Sequence, residues 1–183
     1  ISSLITKSNN IDLVTIADIE SEKHIINHIQ NKYPTHSIIS EEKGELKKES
    51  KYQWIVDPLD GTTNFAHNLP IFAISIGLKI NKTTEIAVVY NAAADKCFYA
   101  IKNKGAYLND KLINVSNCKK ISSSLIATGF PYKHDEKYDK SFDIFKFLYD
   151  NSRGIRRLGS ASLDLCFVAM GRFDVFYEFG LKS

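Results

Sequence analysis

Trp54-Ile-Val-Asp-Pro-Leu-Asp-Gly-Thr-Thr-Asn-Phe65 places two acids, three residues apart, directly after an apolar run. The apolar residues predict a buried strand, and Pro58 predicts that it ends at the acids, because proline cannot donate a ladder hydrogen bond. Gly61-Thr62-Thr63 then predicts a helix start, where unpaired backbone N–H groups attract anions. Two carboxylates facing such amides are suited to hold a divalent metal ion beside a phosphate.

The segments on either side of this stretch predict helices mixed with antiparallel hairpins. Isoleucines near helical spacing predict a helix over residues 18–32, and a short strand over 37–40 is expected to deliver Glu41. Alternation predicts a hairpin of strands 72–80 and 85–90, whereas 45–51 is expected to be a charged loop. Further strands are expected at 97–101, 105–108, 112–115, 124–128, 154–158 and 173–178, with helices at 138–150 and 160–170. This mixture predicts a layered α+β architecture.

The composition excludes several classes of protein. With 44% hydrophobic and 25% charged residues, the 183-residue chain has the make-up of a soluble globular protein. Its net charge of +3 is too mild to indicate direct binding of nucleic acid or of a membrane surface. No apolar run approaches the roughly 20 residues of a membrane span. The three cysteines are widely spaced and form no CxxC pair, which favours reduced thiols and a cytoplasmic location.

Five segments, in order along the chain, resemble motifs of the inositol monophosphatase family, which belongs with the fructose-bisphosphatase-like phosphatases. The nine residues from Asp57 to Phe65 resemble its signature, and the form Gly-Thr-Thr-Asn-Phe is more similar to the inositol monophosphatase branch, which includes bacterial SuhB-like proteins. The other four segments are Val14-Thr-Ile-Ala-Asp18, Ile39-Ser-Glu-Glu42, Arg156-Arg-Leu-Gly-Ser-Ala161 and Phe176-Tyr-Glu-Phe-Gly180. The resemblance implies the layered αβαβα sandwich of that family.

The resemblance also implies roles for individual residues. It implies a two- or three-metal Mg²⁺ site, in keeping with the oxygen ligands that Mg²⁺ prefers. The implied metal ligands are Glu41, Asp57, Asp60 and the backbone carbonyl of Leu59, with Asp57 bridging two ions. Thr62, supported by Asp18, is expected to orient and help deprotonate the attacking water, and Glu41 joins them in the catalytic set. The implied substrate contacts are the amides of Gly61, Thr62 and Thr63 for phosphate, and Asp60, Ser160, Ala161 and Glu178 for the alcohol.

The implied activity is Mg²⁺-dependent hydrolysis of a small polyol phosphate monoester, with inositol 1-phosphate as the leading substrate. The family resemblance further implies a lithium-sensitive homodimer. Adenosine 3′,5′-bisphosphate, fructose bisphosphate and histidinol phosphate, which relatives hydrolyse, stay open as alternative substrates. Protein binding is a different class of function, because some bacterial relatives join a transcription antitermination complex and assist ribosome biogenesis.

Simpler interpretations of the same residues stay open at this point. Asp57 and Asp60 could be turn residues, because Asp-Pro and Asp-Gly commonly mark turns. Asp18 could cap the helix that it begins, or lie in its first turn. Glu41 could be part of an exposed acidic pair, and Glu178 could be a solvent-facing position of a strand.

The family pattern continues, after the segment that ends at Gly180, with a Trp-Asp-x-Ala-Ala-Gly-like segment whose Asp completes the second metal site. The sequence stops at Ser183 and begins without Met. We therefore expect a single phosphatase domain over residues 1–183, truncated at its C-terminus and also at its N-terminus. Without the later Asp, we expect the second metal ion to bind weakly.

Overall fold

The computed structural model describes residues 4–6, 13–131 and 133–181, which form three β-sheets and four α-helices. The first sheet is a short antiparallel pair of strands, β1 (Leu4–Thr6) and β2 (Leu13–Thr15). The helices are α1 (Ile16–Lys32), α2 (Thr62–Ala66), α3 (Glu136–Asn151) and α4 (Ala161–Ala169). None of the helices in this described part of the chain is long and apolar enough to cross a bilayer.

An eight-stranded sheet forms the largest part of the fold. Its strands are β3 (Ser37–Ser40), β4 (Gly44–Leu46), β5 (Tyr52–Asp60), β6 (Ala73–Ile80), β7 (Thr83–Asn91), β8 (Lys96–Ile101), β9 (Gly105–Leu108) and β10 (Lys111–Ile113). They lie in the order β10-β9-β8-β7-β6-β5-β3-β4. Only β3 and β5 are parallel, so the ends of these two strands point the same way and bring Glu41 toward Asp57.

A smaller, three-stranded parallel sheet follows in the chain. Its central strand is β11 (Leu125–Thr128), flanked by β12 (Gly154–Arg156) and β13 (Val175–Tyr177). Glu178 directly follows β13, so the small sheet carries one of the predicted site residues at its end.

The helices and sheets stack in layers. Ile26 and Ile29 of α1 pack against Val56 and its neighbours on one face of the large sheet. Leu163 of α4 packs against Phe98 on the opposite face, and α4 also contacts β13. Because α4 lies between the two sheets and α3 packs on β12, the layered α+β prediction is confirmed.

Strand β5 does not stop at Asp57, where the acids begin, so this prediction was wrong. It runs through Pro58 to Asp60, with an irregular register between Asp57 and Asp60. Pairing with β3 stops at Val56, so beyond that residue β5 has a partner on one side only. Proline is tolerated at a bulge or irregularity of this kind, so Pro58 does not end the strand.

The segment expected to be a charged loop also contains a strand. Residues Gly44–Leu46 form β4, which pairs antiparallel with β3 at the edge of the large sheet. The connection between the two strands spans residues 41–43, and Gly44 has a φ of +74°. A three-residue hairpin loop followed by a left-handed residue is a common geometry, and glycine adopts it without strain.

Candidate metal and phosphate site

The start of α1 positions Asp18. Thr15 is the N-cap, and its backbone N–H (2.8 Å) and hydroxyl (2.5 Å) both donate to Asp18 Oδ2, while Thr15 Oγ1 accepts from the Asp18 N–H. Asp18 therefore lies in the first turn and does not itself cap the helix. The reciprocal bonds form a capping box, which holds the buried carboxyl in one orientation.

The other oxygen of Asp18 contacts Thr62. Thr62 Oγ1 lies 3.0 Å from Asp18 Oδ1 and 3.1 Å from the carbonyl oxygen of Leu59. A hydroxyl has one hydrogen to donate and two lone pairs that accept. Because both neighbours are acceptors, the Thr62 hydrogen points to them, and the lone pairs remain to accept a hydrogen bond from water.

Gly61 makes the turn that brings Thr62 to this position. Its φ is +93°, and a Cβ there would lie 2.9 Å from the carbonyl oxygen of Ile71. Any other residue would be strained by both the backbone conformation and the lack of space. Gly61 is the N-cap of α2, as the sequence predicts, although this helix has only five residues.

Glu41, Asp57 and Asp60 bring negative charge together. Burial, and then the charges of Glu41 and Asp60, raise the pKa of Asp57 to about 8, although the Leu59 N–H, 3.1 Å from Asp57 Oδ1, opposes this shift. Glu41 follows β3 directly, and its N–H donates to the carbonyl of Val56. Like charges held this close favour either a proton or a cation among them.

The donor set fits Mg²⁺ in its chemistry. Within the described ranges, no group of three His, Cys, Asp or Glu side chains lies close enough to hold a metal ion. The predicted first metal site needs only two carboxylates, those of Glu41 and Asp57, together with the backbone carbonyl of Leu59. These are oxygen ligands. The pKa of Asp57 is raised first by burial and then by repulsion from Glu41 and Asp60, and a divalent cation would relieve that repulsion.

The first turn of α4 holds Asp60. Asp60 Oδ2 accepts hydrogen bonds from the Ser160 hydroxyl (2.6 Å), the Ser162 N–H (2.7 Å) and the Ser162 hydroxyl. Ser160 is fully buried, so its side chain supports Asp60 from behind and does not face a pocket. Ser162 was missed in the sequence, although the unpaired N–H groups of a helix that starts after Gly-Ser attract negatively charged groups.

Glu178 comes close to this group from the small sheet. Burial raises the pKa of its carboxyl, the nearby Arg157 lowers it, and the charge of Asp60 raises it again. Gly129, just after β11, makes room for it, because a Cβ on Gly129 would lie 2.1 Å from Glu178 Oε2. Nothing in the local sequence indicates this role for Gly129, which depends on the packing of β13 beside β11.

Asp164 is a further acid that sequence reasoning missed. It lies buried in the first turn of α4, and its Oδ1 has no hydrogen-bond partner. Burial, Asp60 and Glu178 raise its pKa to about 7, and Arg157 opposes them. An aspartate among apolar residues of a buried helix is the signal that could have singled it out.

The two remaining predicted residues lie at helix starts. Thr63 is the second residue of α2 and is exposed, and Ala161 is the first residue of α4. The structure thus brings Asp18 to Thr62, places Glu41 beside Asp57, and anchors Asp60 on the turn that leads into Ala161.

The chain belongs to the inositol monophosphatase family, whose model matches residues 2–183. The Nus factor SuhB of Pasteurella multocida is 43% identical over 178 residues, which are 97% of this chain and 66% of that protein. A solved inositol monophosphatase from Anabaena is 42% identical with a TM-score of 0.86, over 91% of this chain and 66% of that one. A solved IMPase/NADP phosphatase in complex with Mg²⁺ and phosphate is 25% identical with a TM-score of 0.81, over 93% and 63%. The chain spans about 66% of the length of the curated relative.

Proposed function

We propose that this protein is a Mg²⁺-dependent phosphatase of small polyol phosphate monoesters, with inositol 1-phosphate as the leading substrate. The observation that carries the proposal is the hydrogen bond from the Thr62 hydroxyl to the buried Asp18 carboxyl, next to the acids of β5. The solved relative bound to Mg²⁺ and phosphate supports the same chemistry. The activity is proposed for the whole protein, because the chain spans about 66% of the length of the curated relative.

Glu41, Asp57 and the carbonyl of Leu59 would hold one Mg²⁺, and Asp57 and Asp60 a second. Bound Mg²⁺ would supply a Lewis acid for the phosphoryl oxygens and lower the pKa of a bound water. Asp60 suits this role because α4 holds its Oδ2, which leaves Oδ1 outside those bonds. The chain's own contribution is to keep these oxygens in place before the substrate arrives.

Thr62 would orient the attacking water. Because its hydrogen is donated toward Asp18 or Leu59, its lone pair accepts one hydrogen of the water and directs the water oxygen at phosphorus. The proton that the water loses would pass through the Thr62 hydroxyl toward Asp18. The backbone N–H groups of Gly61, Thr62 and Thr63 would hold the phosphate oxygens, as helix starts commonly do.

The alcohol part of the substrate would lie against Asp60, Ala161 and Glu178. Glu178 would accept a hydrogen bond from a substrate hydroxyl, and Ser160 would act only through Asp60. Because the alcohol pocket decides the substrate, the bisphosphates and histidinol phosphate remain alternatives within the same chemistry.

A second candidate function is protein binding. The chain is 43% identical to a Nus factor and 42% identical to an inositol monophosphatase, so identity favours neither function over the other. We propose that the protein is a cytoplasmic homodimer. We also propose that it binds a partner in a transcription complex and that this binding does not require turnover. Pull-down with an inactive Asp57→Asn variant would then recover the partner as well as the wild type does, and loss of the partner in that variant would argue against it.

The proposed activity predicts phosphate release that depends on Mg²⁺. Purified protein should release phosphate from inositol 1-phosphate, lose this activity with EDTA and regain it when Mg²⁺ is added in excess, because the proposed chemistry uses Mg²⁺ as its Lewis acid. Li⁺ should inhibit by competing for the weaker metal site. Values of kcat/KM measured for inositol 1-phosphate and for the alternative phosphate esters identify the preferred substrate. Absence of Mg²⁺-stimulated hydrolysis of every ester would remove the enzyme proposal, whereas Li⁺ insensitivity alone would remove only that extension.

A methyl group at Gly129 is expected to weaken recognition of the alcohol. Gly129→Ala should push the Glu178 carboxylate aside and reduce kcat/KM for inositol 1-phosphate about tenfold, near the lower value for a hydrogen bond to a charged group. The reduction should vanish with p-nitrophenyl phosphate, which has no hydroxyl for Glu178. In a double-mutant cycle, Gly129→Ala should add little to Glu178→Ala. Additive losses would show that Gly129 acts on something other than Glu178.

A further inference from the structure

Glu22 is a buried acid that the proposed chemistry leaves unused. It lies on α1, four residues after Asp18, with 1% of its surface exposed. Residues four apart share one face of a helix, so Asp18 and Glu22 both face the ends of β3 and β5. Asp18 contacts Thr62 from this face. Glu22 instead contacts the loop that follows β3.

The Glu22 carboxylate holds the loop that carries Glu41. Glu22 Oε1 accepts hydrogen bonds from the backbone N–H groups of Glu42 and Lys43, each at 3.0 Å. These two residues complete the 41–43 connection between β3 and β4, immediately after Glu41. Two N–H donors on one carboxylate oxygen are charge-assisted bonds, which are stronger than bonds between neutral groups.

An anchor matters for this loop because it lies at the surface of the protein. Glu41 and Lys43 are exposed, and β4 is an edge strand of three residues. A metal ligand on a loop of this kind binds well only if its position is set before the metal arrives, because ordering it on binding costs conformational entropy. The contact with a buried helix residue supplies that restraint.

We infer that Glu22 is a positioning residue for the metal site: by binding the amides of Glu42 and Lys43, it fixes Glu41 relative to Asp57. The inference rests on the part of the proposed function that makes Glu41 a Mg²⁺ ligand. Helix α1 then sets two components from one face, the Thr62 hydroxyl through Asp18 and the Glu41 carboxylate through Glu22. Glu22 itself touches neither substrate nor reacting atoms.

The test measures Mg²⁺ affinity by isothermal titration calorimetry on the purified protein without substrate. Glu22→Asp keeps the charge but withdraws the carboxylate by one methylene, and it should weaken Mg²⁺ binding about 10- to 100-fold, the usual effect of losing a partner behind a metal ligand. Glu22→Gln keeps an oxygen acceptor at the same reach but loses the charge that strengthens the two bonds, so it should weaken Mg²⁺ binding clearly less than Glu22→Asp does. Glu20→Gln, an exposed acid on the same helix, is the matched control and should bind Mg²⁺ as wild type does.

Amide hydrogen exchange supplies a second readout that needs no metal. In Mg²⁺-free buffer, Glu22→Asp should speed exchange at Glu42 and Lys43 while the strand amides of β5 keep their protection. Unchanged Mg²⁺ affinity in Glu22→Asp, or affinity lost equally in Glu22→Asp and Glu22→Gln, would overturn the positioning role. If wild type hydrolyses no phosphate ester but binds Mg²⁺ more tightly than Glu22→Asp, the proposed reaction fails and the positioning role stands.

Discussion

Replacing Asp57 with Asn is expected to reduce kcat/KM for inositol 1-phosphate by at least about 1,000-fold, or ~4 kcal/mol of transition-state stabilisation. Asp57 is the proposed ligand of both metal ions, and Asn has the same shape without the charge. Steady-state phosphate release at saturating Mg²⁺ measures the loss. The loss should be larger than that of any other single substitution proposed for this site, because it weakens both ions at once.

The same substitution should not unfold the protein. In the metal-free protein Asp57 lies near two other acids, and its raised pKa shows that its charge is unfavourable there. Removing this charge should leave the Mg²⁺-free melting temperature equal to or above that of wild type, whereas added Mg²⁺ should stabilise only the wild type. Asp143→Asn, on the exposed side of α3, is the matched control and should change neither quantity. Turnover by Asp57→Asn close to the wild-type rate would contradict the bridging role.

The sequence predicts an element of this fold well when the pattern of that element's own residues determines its structure, and poorly when contacts with distant segments determine it. Alternation of apolar residues predicts the hairpin of β6 and β7, and isoleucine spacing predicts α1, because both patterns report burial of one face. The edge strand β4 was missed because it has only three residues, of which Gly44 and Glu45 are exposed and Leu46 alone packs against the core, so it is too short to show an alternating pattern. The course of β5 through Pro58 was missed because it depends on where the neighbouring strand β3 stops.

The residues of the candidate site also fall into those that the sequence identifies and those that depend on contacts with distant segments. Resemblance to the family singled out Asp18 and Thr62, although 44 residues separate them, and the structure joins them by a hydrogen bond. It also named Ser160 for the pocket, whereas packing of α4 turns that hydroxyl onto Asp60. The roles of Gly129 and Glu22 could not be predicted, since each depends on a contact with a distant segment and neither carries a sequence signal of its own.

Removing the Thr62 hydroxyl is expected to have the second largest effect on turnover. Thr62→Val keeps the shape and the backbone amide but removes the group that accepts from water and donates to Asp18, so kcat should fall about 100- to 1,000-fold, as for loss of a general acid–base group. Thr62→Ser restores the hydroxyl and should recover activity to within about tenfold of wild type. Single-turnover phosphate release measures the chemical step directly.

Mg²⁺ affinity separates this role from that of the metal ligands. Thr62 is not a proposed ligand, so Thr62→Val should bind Mg²⁺ as wild type does, in contrast to Asp57→Asn. Asp18→Asn should lose activity through the same hydroxyl, and the double variant should be little worse than either single one, because residues that act as a unit are not additive. Thr84→Val, an exposed threonine of the β6–β7 hairpin, controls for a general effect of the substitution. Two results would contradict this role: turnover by Thr62→Val within threefold of wild type, or a double variant whose loss of activity is the product of the two single losses. In either case the hydroxyl does not orient the water, and the hydrogen bond between α1 and α2 only stabilises the fold.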